Sequence, residues 1–224
     1  MNIVQTTAIA SIAVQLGTAL LNIWGLLIPV RPQASIFRSL LVIEFVVQVI
    51  ELIAYAFLTR LLSRPHHHRQ VMTVRYADWA VTTPTMLVTL MAFLSGESSL
   101  KAFGKQYKQA IAVILVLDWM MIGFGYIAER SSDIRWVYPG FIAFYILFAT
   151  IHRAFRRQIR AHREKRFIYA WFLILWALYG IFAIYDFSTR NIGYNVLDVF
   201  SKNVTGVFLV WKINENRVTR KARS

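Results

Sequence analysis

The chain has 224 residues, of which 57% are hydrophobic, 15% aromatic and only 16% charged. That balance excludes an ordinary water-soluble globule and fits a membrane protein. It has no cysteine, which removes disulfides, thiolate metal sites and cysteine nucleophiles. Its net charge of +14 argues for nucleic acid only where basic residues share a surface with exposed aromatics, and no such segment is present.

Seven apolar segments follow one another, each near the ~20 residues that a span needs. They are A (5–30), B (39–61), C (71–95), D (107–128), E (134–154), F (167–187) and G (192–213). Segment A is long and has no basic start, so it is expected to be a true span rather than a cleaved signal. It presents Ser11, Gln15, Thr18 and Asn22 at helical spacing. Segment B presents Glu44, Gln48, Glu51 and Tyr55 at steps of four, three and four. Each set falls on one helical face through the depth of a bilayer. Interhelical hydrogen bonding accounts for the set in A. It accounts poorly for two glutamates with no evident intramembrane cation, whereas acidic rings in a wet path are how cation channels attract ions.

Between B and C stand His66, His67 and His68. Successive histidines rarely close a metal site, so an exposed loop without metal is expected. Segment C carries Arg75-Tyr76-Ala77-Asp78-Trp79 and then Thr82-Thr83-Pro84, D carries Asp118, and F carries Trp176 and Tyr179. Segment G contains Asp198-Val-Phe-Ser201-Lys202-Asn203. A bare ammonium at that depth costs about 2.5 to 3.5 kcal/mol, and intramembrane ionisable groups are functional by default. Asp198, one turn before Lys202, supplies a counter-charge. A desolvated amine is also the usual way to hold an aldehyde as a Schiff base. The residues themselves therefore point to a covalently bound carbonyl cofactor.

Short loops predict a single domain over residues 1–224, an all-α bundle of seven antiparallel transmembrane helices. About half of the 25 Lys and Arg lie in two clusters, Arg153 to Arg166 and Lys212 to Arg223. The positive-inside rule then places the E–F loop and the C-terminus in the cytoplasm and the N-terminus outside, with anionic lipid as a further attraction. Arg60, Arg64 and Arg69 on the outer B–C loop go against the rule, but the summed bias still favours this orientation.

Segment C resembles helix C of the microbial (type I) rhodopsins, whose core is Arg-Tyr-x-Asp-Trp-x-x-Thr-Thr-Pro. Segment G resembles their retinal helix, and D and F resemble their partners in the bundle. The resemblance implies all-trans retinal held covalently on Lys202, with Asp78 and Asp198 as counterions and Arg75 able to pair with both. It implies a pocket of Trp79, Thr83, Trp176 and Tyr179, and a hydrogen-bonded pair of Thr83 and Asp118. The family's proton pumps carry an acid eleven residues after the counterion; here that position is Thr89. The proline expected after Tyr179 is Gly180, and a second pocket tryptophan is replaced by Ala183.

The helix-B glutamates and Ser201-Lys202-Asn203 resemble the light-gated cation channels of the family. The compact chain is most similar to the short channel-type rhodopsins of giant algal viruses. Glu51 lies roughly 20 Å along the helix from Arg38, level with Lys202. The resemblance then implies a central gate of Glu51, Asn203 and Ser11, an inner constriction at Glu44, and Gln48 along the path. A shift of helix B by one heptad would move both glutamate roles. The first expectation is a light-gated channel for H+, Na+ or K+. The alternatives are a slow outward proton pump without a carboxylic donor, and a sensory rhodopsin that needs a transducer. Asp78 argues against a chloride pump. No hydrolase motif is present, so no enzymatic activity is expected. Membrane lipid is the expected surrounding, nucleic acid is not a partner, and a homo-oligomer is compatible with the chain.

Overall fold

A computed structural model describes residues 2–63 and 67–218. Arg64, His66, Arg220, Lys221 and Arg223 lie outside the described residues. Helices α1 (Ile3–Leu27), α2 (Ser35–Leu62), α3 (His68–Ser95), α4 (Leu100–Ser131), α5 (Val137–Ala161) and α6 (Arg163–Phe182) follow in order. The seventh rod consists of α7 (Phe187–Asp198), a π-helical turn (Val199–Asn203) and α8 (Val204–Glu215). Each helix packs on the next, and the seventh rod closes the ring against α1 and α2. The protein is an all-helical, integral multi-pass membrane protein. Six helices are individually long and apolar enough to cross a bilayer, and the seventh rod is the one carrying Arg190, Asp198, Lys202 and Lys212.

Along α1 the usual burial pattern is inverted, as lipid permits. The buried face of α1 holds Ser11, Gln15, Thr18 and Asn22, while Leu20 and Leu27 are 69% and 76% exposed. Polar groups find partners only inside the bundle, and apolar groups lose nothing by facing lipid. Local signals set the ends. Asn2 and Ser99 accept hydrogen bonds from the backbone amides of Gln5 and Ala102, capping α1 and α4. Gly96 ends α3 in the left-handed region at φ 75°. Close beside it, Lys165 Nζ donates to the Leu94 carbonyl at 2.9 Å.

Helices α4 and α5 run beyond segments D and E. Each is kinked where its apolar segment meets the polar extension, at Tyr107 and at Phe155. Those two rings pack with centroids 4.9 Å apart, so both helices bend at one level. Inside α3, Pro84 cannot donate to the Ala80 carbonyl. The Trp119 indole of α4 donates to that oxygen instead, at 2.9 Å.

Candidate functional site

Lys202 sits in the π turn, buried with Ser201 and Asn203. Such turns are frequent at functional sites. Its Nζ donates to Asp78 Oδ2 at 2.8 Å, with Glu51 Oε1 at 3.6 Å and Asp198 Oδ1 at 3.7 Å. Three carboxylates from α2, α3 and α7 therefore surround one amine. This corrects the expectation that Glu51 lacks a cation. Its level was legible, but the rotation of α2 that aims it at Lys202 was not.

The three acids differ in their other partners. Asp198 accepts from Tyr55 at 2.7 Å and Tyr179 at 2.6 Å, and pairs with Arg75 Nη1 at 3.3 Å. Asp78 has its Oδ1 free of hydrogen bonds, and both oxygens of Glu51 are likewise without one. Arg75 is buried. Its Nε donates to Asn191 Oδ1 at 2.9 Å, its Nη2 donates to Asn195 Oδ1, and its guanidinium lies over the Tyr55 and Tyr194 rings at 5.6 Å from each centroid. The expected bridge from Arg75 to both counterions does not form. Among the described residues Arg75 pairs with Asp198 alone. Asn191, Asn195 and Asp198 share one face of α7 and draw the guanidinium across the bundle. Asn191 and Asn195 were missed as site residues. Their signal was present as a polar stripe that begins one residue before segment G, 191, 195, 198 and 202, stepped four, three and four like the stripe in B.

Beside Lys202 lies an apolar cavity of about 790 Å³, its mouth included, lined by Trp79, Thr83, Trp176, Tyr179 and Lys202. Trp79 meets the Tyr179 ring edge-on at 5.3 Å. Gly180 and Gly125 keep the walls close. An added Cβ would lie 2.7 Å from Phe141 at the first and 2.9 Å from the Tyr76 hydroxyl at the second. Flat aromatic walls, a lysine at the edge and carboxylates around its nitrogen fit a conjugated aldehyde carried on Lys202. Thr83 donates to Asp118 Oδ2 at 2.7 Å, which joins α3 to α4 beside the same cavity.

The expected gate does not assemble as a hydrogen-bonded set. The single hydroxyl proton of Ser11 is shared between the Thr7 and Asn195 carbonyls, both 3.0 Å from its Oγ. Asn203 accepts from Gln48 at 2.5 Å, and Gln48 accepts from Asn22 at 2.8 Å. Glu51 turns to Lys202, and the neutral amides pair among themselves. Glu44 is buried with neither carboxylate oxygen hydrogen-bonded. Thr89 of α3 faces it without completing a bond. Both side-chain polar atoms of Gln15 are equally without partners.

His68 stacks on Phe187 at 3.8 Å. Among the described residues no cluster of three His, Cys, Asp or Glu is placed to hold a metal.

The profile of bacteriorhodopsin-like proteins matches residues 6–215. A bacteriorhodopsin of Haloterrigena sp. (strain arg-4) is 30% identical over 154 residues, covering 61% of this chain and 58% of its own. The opsin-like protein carO of Fusarium fujikuroi is 26% identical over 159 residues, 64% of this chain and 48% of its own. The chain thus spans about half the length of these relatives. Among solved structures, the viral rhodopsin OLPVRII is similar with a TM-score of 0.79 and 25% identity, over 93% of this chain and 96% of that one. Xanthorhodopsin, described as a light-driven ion pump with dual chromophore, shares the fold at a TM-score of 0.78 and 18% identity, over 96% of this chain and 93% of that one. The chain belongs to the bacteriorhodopsin-like family of microbial rhodopsins, membrane photoreceptors and transporters whose members bind retinal covalently.

Proposed function

We propose that this rhodopsin is a light-gated cation channel with all-trans retinal on Lys202, its N-terminus outside and its basic helix ends in the cytoplasm. When bound, retinal supplies light absorption and a change of shape at the Lys202 nitrogen. The chain's own residues do the rest. Asp78 is the acid best placed to accept a proton from that nitrogen, since it is hydrogen-bonded at 2.8 Å and its second oxygen is uncommitted. Asp198 is held by two tyrosine hydroxyls and Arg75, so it serves as a fixed negative charge. Thr83 and Asp118 tie α4 to α3 near Pro84, where movement of α3 would be felt.

One observation carries the channel reading. Gln15, Glu44, Glu51 and Thr89 all hold buried polar atoms without hydrogen-bond partners, and the Asn203 amide nitrogen does too. They come from α1, α2, α3 and the π turn. In a dry bundle each such atom costs about 1–3 kcal/mol. A file of water and passing cations meets that cost, and carboxylates in such a file favour cations. The test substitutes Glu51→Gln and Asn203→Ala. The expected result is a coloured pigment with altered ion selectivity or lost photocurrent. Unchanged photocurrents in both variants would count against this path.

A slow outward proton pump is the second reading. It is favoured by the Asp78–Lys202 hydrogen bond, which is the acceptor geometry that outward transfer needs. Its current keeps one sign at all voltages, whereas a channel current reverses.

A further inference from the structure

Three neutral amides span the bundle on the cytoplasmic side of Lys202. Asn22 of α1 donates to Gln48 Oε1 at 2.8 Å, and Gln48 Nε2 of α2 donates to Asn203 Oδ1 in the π turn at 2.5 Å. All three are buried. On α2 the Gln48 link falls between Glu51 and Glu44, whose carboxylates have no hydrogen-bond partners. Apart from the Glu51–Lys202 ion pair at 3.6 Å, the chain of amides is what joins α1, α2 and the π turn by side-chain hydrogen bonds at this level, among the described residues.

Its closure depends on a glycine. An added Cβ at Gly206 would lie 2.9 Å from both Asn22 amide atoms, Nδ2 and Oδ1. The clash falls on the far end of a side chain rather than on backbone. The helices can therefore keep their packing while the Asn22 amide is pushed off Gln48. Asn203 follows Lys202 directly within the π turn, so a displacement at the lysine reaches the amide through one peptide unit.

We propose that Asn22, Gln48 and Asn203 form an amide clamp that seals the cytoplasmic half of the path in the dark, and that Gly206 is the notch that lets the clamp close. The clamp uses no charge, so opening it separates no ion pair. Its conductance consequence rests on the channel reading; its water-sealing consequence does not.

The test uses the full chain, loaded with retinal, as wild type, Gly206→Ala, Gln48→Leu and Gly17→Ala. Gly17 is the control, since a methyl there meets nothing within 4 Å. A visible absorption band shows that each variant folds. The main readout is the rate at which aqueous hydroxylamine bleaches the pigment in the dark, which reports water access to Lys202. We expect bleaching about tenfold faster in Gly206→Ala and Gln48→Leu, the factor for one lost hydrogen bond of upper ordinary strength, and unchanged in Gly17→Ala. Unchanged bleaching in coloured Gln48→Leu overturns the clamp even where Gly206→Ala does not fold. Dark and light currents of the same proteins separate the two ideas. Faster bleaching with no passive current in the wild type keeps the clamp and removes the channel. A passive wild-type current with unaltered bleaching in the variants keeps the channel and removes the clamp.

Discussion

The two sides of Lys202 solve the same problem in opposite ways. Toward the N-terminal face, Arg75 is buried and its donors reach Asn191, Asn195 and Asp198, while Tyr55 and Tyr179 complete Asp198. Toward the other face, Glu44, Thr89 and Gln15 carry polar atoms with no hydrogen bonds. The helices and the spacing of their polar stripes are alike on both sides. Among the described residues, only the N-terminal side holds a fully buried guanidinium, and its donors match the acceptors around it. Satisfied networks in low dielectric are rigid, and unsatisfied ones need water. On the channel reading proposed above, the N-terminal half is the plug, and the half beyond Lys202 is the path that takes up water once its amides part.

The largest expected effect removes the hub between the halves. Lys202→Ala eliminates covalent retinal, read as complete loss of the visible band after reconstitution. Next, Arg75→Gln should convert the plug into something like the other half. Removing one partner of a buried ion pair destabilises by about 3–5 kcal/mol, and thermal bleaching of the pigment measures it. A loss no larger than that of a lipid-facing substitution would erase the contrast. Glu44→Gln should cost less than about 1 kcal/mol, because no formed bond is lost, yet it should change ion selectivity in current recordings. Trp119→Phe forfeits the single bond to the Ala80 carbonyl, about 1 kcal/mol, read as a small drop in the temperature of thermal bleaching.

The smallest effect lies at the start of α7. Hydrogen bonding, first from Thr189 and then from Ser188, holds the exposed Asp186 carboxyl below the usual aspartate range. That contribution is fully present above the unfolded value of about 3.9 and is lost as pH falls through the lower folded value. Asp186→Ala should flatten this acid limb in a stability profile against pH.

Much of the site could be read in the sequence because membranes leave few reasons for an ionisable residue. Lys202 and Asp198 stood out by depth and spacing and Asp78 by the resemblance of segment C, and the two carboxylates meet at the lysine nitrogen. The stripes of A and B named the faces that line the seam. What spacing could not supply was rotation. A π turn at 199–203 shifts the phase of every later residue, so the direction of Asn203, and its pairing with Gln48 rather than Glu51, lay beyond a 3.6-residue period. Likewise, Arg75 reaches α7 because Asn191 and Asn195 are there, a fact that belongs to two segments at once. The limits of D and E, at 107 and 154, marked the bends at Tyr107 and Phe155 rather than helix ends. Apolar runs register the bilayer, and the helices continue past it.

The central claim is that the unpaired seam carries cations passively. Voltage clamp of cells expressing the chain with all-trans retinal tests it most directly, under light at stepped voltages and two cation gradients. The account predicts a photocurrent that reverses at a voltage following the cation gradient. An outward photocurrent of constant sign across the whole range would contradict it.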